Sequence, residues 1–296
     1  MGYKIDNGSE ESAKKKEYWE TAEGLQKVDG LEVSSYLREL AQKEIDGDLS
    51  YDELEEALYH KYEKPTEEEL KARLKESDIV CARISHILSS SGSVNLNPDA
   101  FKQLHKTLFT GIYDHAGQFR TYNIRKDEPI LNGDTVMYSD WRMIIPTLQY
   151  DMAEEKNKLY KGLDKQQILQ RLAKFTCDIW QVHPFYEGNT RTTATLLEKY
   201  LTQMGFNINN DVFKDNSKYF RNALVLANYS NYSKNVYPDF DPLEKALDNF
   251  LFNGKHELRN RDLFVLPLFP EIEQAKIKYW QTKPKEIASG DDTGLK

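Results

Sequence analysis

The stretch HPFYEGNTRT, residues 183–192, decides how this chain is read. Before it, QILQRLAKFTCDIWQV (167–182) sets Ile168, Leu172, Phe175 and Ile179 at helical spacing. After it, residues 191–204 continue the same period through Leu197, Tyr200, Leu201 and Met204, and Gly205 closes the run. Two apolar helices are thus joined by a short polar loop. His183 sits at the exit of the first, and Pro184 stiffens the turn. Gly188 and Asn189 tolerate unusual backbone angles, so amide groups can converge there. A helix opening near Thr190 turns its free N–H groups back into the loop, which makes an anion site. Arg191 lies in the first turn, where a cation opposes the helix dipole unless an anion compensates it. Phosphate suits its guanidinium fork. Glu187, beside a phosphate site, suits Mg²⁺. His183, with an ordinary pKa of about 6.5, suits a general base. Singly, these residues read as a helix-end histidine, a turn and a surface ion pair. Together they describe phosphoryl or nucleotidyl transfer, with phosphates cradled and a hydroxyl deprotonated.

Outward from this loop the chain reads as mainly helical. Trp19, Ala22, Leu25 and Val28 recur at three-residue spacing from Glu17 to Gly30. Leu37, Leu40, Ala41 and Ile45 mark a second helix ended by Gly47. Ser50 with Glu53 opens a third, and Thr66 with Glu69 opens a fourth that is expected to run to Ser89 with Leu70, Leu74, Ile79, Ile84 and Ile87 in the core. Phe101, Leu104 and Leu108 mark the next. Residues 117–138 change character. Thr121–Ile124 and Thr135–Tyr138 can be extended around Asn132-Gly133, which predicts one β-hairpin. Ile130 and Leu131 near its tip are expected to be exposed apolar contacts, and its edge to accept a target strand.

Composition bounds the partners. The 296 residues carry 40 Lys+Arg against 48 Asp+Glu, a formal net charge of -8. That excludes a broadly basic nucleic-acid surface and leaves room only for a local cationic niche. Aromatic content of 12% argues against a disordered chain. No apolar run reaches the length of a membrane span, and residues 1–16 lack the apolar middle of a secretory signal. Two cysteines, Cys81 and Cys177, do not make a disulfide framework or a cysteine-rich metal site. The remaining histidines (His60, His86, His105, His115 and His256) read as structural.

HPFYEGNTR resembles the signature of the Fic/Doc family, H-P-F-x-(D/E)-G-N-x-R-x-x-R, and IYDHAGQFRTYNI (112–124) resembles the segment that leads into that family's substrate-docking flap. The resemblance covers roughly residues 97–205. It implies a helical bundle with a small β-hairpin flap, here Asp127, Glu128, Pro129, Ile130 and Leu131. It further implies AMP transfer from ATP to a Ser, Thr or Tyr hydroxyl of a target protein. His183 would be the base and Phe185 the core anchor after Pro184. Glu187 would hold Mg²⁺, while Gly188, Asn189, Thr190 and Arg191 bind the nucleotide phosphates. A bacterial cytoplasmic protein, or one delivered to a target cell, is the matching location, with no membrane or nucleic-acid partner. The second motif arginine falls at Ala194, which leaves open another phosphate-containing transfer or a non-catalytic nucleotide-binding module.

Residues 22–62 are similar to the small antitoxins that accompany some Fic toxins. Their inhibitory motif S/T-x-x-x-E-G/N aligns with LQKVDG (25–30), which makes Asp29 and Gly30 candidate inhibitory residues. The alternative is that Gly30 only caps a helix. The expected organisation is a flexible tail (1–16), an antitoxin-like helical unit (17–64), a catalytic core (65–210), a helical extension (211–282) and a second flexible tail (283–296).

Overall fold

A computed structural model describes residues 3–4, 9–271 and 274. Eleven α-helices follow one another among them: α1 (Glu10–Gln26), α2 (Ser35–Asp46), α3 (Tyr51–Lys61), α4 (Glu67–Lys71), α5 (Leu74–Ser89), α6 (Pro98–Phe109), α7 (Ile144–Lys156), α8 (Lys165–Val182), α9 (Asn189–Gln203), α10 (Asp211–Ala227) and α11 (Asp241–Phe252). No helix in this set is long and apolar enough to cross a membrane. The mainly α architecture expected from the apolar periodicity is what the chain adopts.

α1 starts at Glu10, where the Ser9 side chain accepts from the Ser12 N–H. Residues 10–16, expected in a tail, are therefore its first two turns. The tail expected at 283–296 lies outside the described residues. α2 and α3 follow their caps: Ser34 accepts from the Leu37 N–H, and Ser50 and Glu53 form a reciprocal capping box. The single helix expected from Thr66 to Ser89 is broken. Arg73 adopts a left-handed conformation (φ 53°) and separates α4 from α5, leaving Leu70 at the surface. The guanidinium of Arg73 meets the Glu76 carboxylate with Nε–Oε2 2.9 Å and Nη2–Oε1 2.8 Å, so the break is held by a fork on the new helix's first turn.

One hydrophobic core runs from Trp19, Leu25 and Leu37 through Ile79 and Ile84 to Leu197, Phe213 and Leu247. α1 lies against α5 and α10, and α8 against α7, α9 and α11. The N-terminal helices thus share one core with the helices that carry the motif loop. A smaller cluster of Phe101, Ile144, Leu148, Phe175, Ile179 and Phe185 sits under that loop.

The expected β-hairpin does not form a ladder. Among the described residues the one β-bridge is Asn231 with Val236. Residues 129–131 make a 3-10 turn instead, and Asn132 and Gly133 follow with positive φ. The Gly133 N–H donates to the Glu128 carbonyl (3.0 Å), and the Glu128 N–H to the Asp134 carbonyl (2.9 Å). Ile130 and Leu131, expected to be exposed, are buried at 4% and 1%. The reason is tertiary. The Val265 N–H donates to the Ile130 carbonyl (3.2 Å), and the Asn132 side chain donates to the Leu268 carbonyl (2.8 Å). The segment after α11 occupies this turn. ELRNRDLFV (257–265), which shows no chemistry as a sequence, is that packing link.

Candidate active site

The site is built on the end of α8 and the start of α9. α8 ends at His183, a non-glycine residue held left-handed (φ 46°, ψ 57°). Such a conformation costs about 1–2 kcal/mol. Buried Arg120 offsets the cost by donating from Nε to the His183 carbonyl (2.8 Å) and from Nη2 to the Val182 carbonyl (3.1 Å). Its backbone N–H also meets the Pro184 carbonyl at 2.8 Å. Sequence reasoning misses this arginine in the run GQFRTYN. Its only signal is a lone Arg among extended polar residues, which does not reveal that its acceptors are carbonyls of the loop.

The turn brings the His183 ring back over its own helix, where Nδ1 lies 3.3 Å from the Trp180 carbonyl. A carbonyl can only accept, so Nδ1 carries the proton and Nε2 its lone pair. Burial, then the nearby Lys126 cation, holds the His183 pKa well below its ordinary value. The imidazole is a neutral base across the neutral range. The Tyr138 ring covers it at 4.4 Å between centroids.

Phe185 is fully buried, stacked on His105 at 3.8 Å and touched by Phe101 and Phe119 at 5.4 Å each. Asn189 closes the loop on itself: its Oδ1 accepts from the Phe185 N–H and its Nδ2 donates to the Phe185 carbonyl, both at 2.9 Å. Gly188 is the left-handed N-cap of α9 (φ 75°), and a Cβ there would stand 2.4 Å from the Phe109 ring. Only glycine fits. The first N–H groups of α9 face the loop, free of intrahelical partners. Thr190 is buried and its hydroxyl takes the Trp180 indole N–H (3.0 Å), so its side chain packs and its backbone faces the loop.

His105 is a second residue, structural by its sequence, that bears on the loop. Its Nδ1 accepts from the Gly117 N–H (2.9 Å), so Nε2–H donates to the Glu187 carbonyl (3.0 Å). Burial pushes its pKa down to about 4, consistent with that neutral tautomer. The Glu187 side chain is half exposed, 3.5 Å from Lys126 Nζ. No group of three or more His, Cys, Asp or Glu side chains among the described residues could hold a metal alone. A single carboxylate of this kind fits Mg²⁺ shared with phosphate oxygens and water.

Arg191 is buried completely, with its guanidinium over the Phe109 ring at 4.9 Å. Its Nη2 donates to Glu76 Oε1 (2.7 Å) and lies 3.3 Å from the Tyr113 hydroxyl, while Nη1 donates to Gln26 Oε1 (3.0 Å). Asp29 Oδ2 is 2.7 Å from its Nε, an ion pair lying off the hydrogen-bond axis. Burial alone would raise the Glu76 pKa, but Arg191 first, then Tyr113 and Arg73, hold it below the usual range. Asp29 and Arg191, both named from the sequence, are therefore brought together. Sequence reasoning misses Glu76, since a glutamate in a charged run gives no sign of pointing inward before the break at Arg73. Gly30 is the left-handed cap (φ 71°) of the turn after α1.

Of the expected flap, Asp127 is exposed and paired with Arg125. Glu128 instead points inward, fully buried, and is gripped by Arg221 of α10 at 2.7 and 2.9 Å. Ala194 is fully buried in the core, and Thr192, Thr193 and Thr195 around it are neutral and buried. α9 thus brings no second cation to the loop.

Residues 95–201 match the model of the Fic/DOC family. The chain is 31% identical over 123 residues to "Protein adenylyltransferase VbhT" of Bartonella schoenbuchensis, a match covering 42% of this chain and 24% of that protein. It is 25% identical over 107 residues to "Probable protein adenylyltransferase Fic" of Escherichia coli K12, covering 36% and 50%. The match thus spans half of one curated relative and about a quarter of the other. Among solved structures, the N-terminal Fic domain of a Bartonella effector protein from Bartonella sp. AR 15-3 aligns with TM-score 0.48 at 16% identity, covering 63% of this chain and 83% of that one.

Proposed function

We propose, starting from a chain that carries a Fic/DOC-family domain over residues 95–201, that this protein transfers AMP from ATP to a hydroxyl side chain of a target protein. The observation that carries the reading is the pairing of a neutral His183, its Nε2 lone pair fixed by the Trp180 carbonyl, with the N-terminus of α9 one short loop away. His183 Nε2 takes the proton of the incoming Ser, Thr or Tyr hydroxyl as its oxygen bonds to the α-phosphorus, and the bond from that phosphorus to the leaving pyrophosphate breaks. The amides at Gly188–Arg191 hold phosphate oxygens and orient the α-phosphorus for in-line attack. Glu187 would hold Mg²⁺, which supplies charge neutralisation on the phosphates. The two curated relatives carry the name adenylyltransferase, in keeping with this donor.

The same geometry supports restraint from within. Arg191 is occupied by Glu76, Asp29 and Gln26, so a nucleotide phosphate must displace a carboxylate to reach it. Asp29, in the turn after α1, is the partner on the antitoxin-like segment. Asp29→Ala is expected to raise transfer severalfold, and His183→Ala to abolish it. The test uses α-labelled ATP with Mg²⁺ and a cell lysate, with γ-labelled ATP alongside. Label retained only from the γ position would replace AMP transfer by phosphate transfer.

A further inference from the structure

A polyphosphate needs more than one cation, and the first turns of α9 offer only Arg191. A second guanidinium, Arg221, from outside the family-matched stretch lies within electrostatic reach of His183 and Asp29. Asp29, with Arg221, Lys218 and Asn222 of α10 and the turn at Pro129 and Ile130, lines a cavity of about 420 Å³. That is within the roughly 300–1,000 Å³ of small-molecule sites. The Asp29 carboxylate therefore borders two guanidinium groups. On one side its Oδ2 is 2.7 Å from Arg191 Nε, and on the other it shares the cavity wall with Arg221. Asp29 also contributes to the charge felt by Arg221, so the two lie within electrostatic reach.

Arg221 is held ready for this. Both Nη atoms engage Glu128 in a bidentate pair, which leaves Nε–H and one N–H on each Nη for another acceptor. The Glu128 carboxylate also takes the Tyr138 hydroxyl (3.4 Å), and the Tyr138 ring covers His183. Arg221 is thereby fixed relative to the base through two side chains.

We propose that Arg221, acting beside Arg191, is the second phosphate-binding residue of this site. The inference rests on the AMP-transfer reading and adds to it a residue contributed by α10.

The test is calorimetric titration of the full chain, in the Asp29→Ala background, with a non-hydrolysable ATP analogue and with AMP. Arg221→Met is expected to weaken binding of the ATP analogue by about 10–100-fold, the loss of a charge-assisted contact. AMP binding should hardly change, which also shows that the variant's site is folded. Arg221→Lys should restore part of the loss, and Glu128→Gln should tighten the ATP analogue, since it keeps the pair's shape and removes the competing charge. Equal weakening of both ligands, or no weakening of either, overturns the assignment of Arg221. Failure of the Asp29→Ala protein itself to bind the ATP analogue overturns the AMP-transfer reading and this inference with it.

Discussion

His183 gives the site its most measurable property. Burial and Lys126 keep its pKa well below 6.5, so the base is unprotonated above that value. The pH profile of kcat/KM for label transfer should be flat from about pH 8 down past 6.5, and fall only in more acidic solution. Lys126→Met removes the cation that lowers the His183 pKa most and should move the acid limb upward by a fraction of a unit, since burial, the larger cause, remains. Glu198 offers an independent check on the burial of α9. Its carboxyl is buried, with Oε2 unpartnered, and desolvation raises its pKa to about 8. A raised folded value means that its stability contribution is full below an unfolded pKa of about 4.3 and is lost as pH rises through 8. Glu198→Gln should therefore raise the melting temperature at pH 8 and change it little near pH 4.5. Single residues are most legible in the sequence where chemistry and local backbone coincide. His183, Gly188, Asn189 and Arg191 are readable because their roles lie within one turn. Arg120, Glu76, His105 and Arg221 are not, because each acts on the loop from a different helix or segment.

Elements show where local signals are overridden. The capping boxes at Ser50 and Thr66 are sequence-local, and both form as expected. The break at Arg73 is not local: it is held by Glu76, which in turn is oriented by Arg191 and Tyr113. The turn at 129–131 reads as a hairpin tip because Asn132-Gly133 and flanking apolar residues fit one. The burial of Ile130 and Leu131 by the segment after α11 comes from more than a hundred residues away in sequence. Two glycines test element packing. Gly188→Ala incurs about 1–2 kcal/mol of backbone strain before the Phe109 ring moves, and should abolish transfer while leaving most of the helix signal intact. At Gly24, a Cβ would stand 2.1 Å from the Phe213 carbonyl oxygen. Gly24→Ala should therefore loosen α1 from α10, lowering the melting temperature and releasing Asp29 from Arg191.

Across the whole molecule, the N-terminal helices are a large part of the core and also carry Asp29, the residue proposed to restrain the site. Trp19, Leu25, Leu37 and Leu54 are buried against α5, α9 or α10 or against one another, and each is worth roughly 1.5–3 kcal/mol. Deleting residues 1–64 should leave a protein that aggregates or melts at much lower temperature, so relief of restraint is better sought by point substitution. The net charge of -8 fits the same picture. Three cations at the site are paired with carboxylates of the chain itself: Arg191 with Glu76 and Asp29, Arg221 with Glu128, and Lys126 with Glu187. In the proposed function this niche activates ATP for AMP transfer and Asp29 holds it in check. The direct measurement is label incorporation into protein from α-labelled ATP and Mg²⁺, comparing the full chain, Asp29→Ala and Asp29→Ala/His183→Ala. Weak labelling, strong labelling and none are expected, in that order. Labelling that survives loss of His183, or that is absent from Asp29→Ala in a lysate containing potential targets, would contradict the claim.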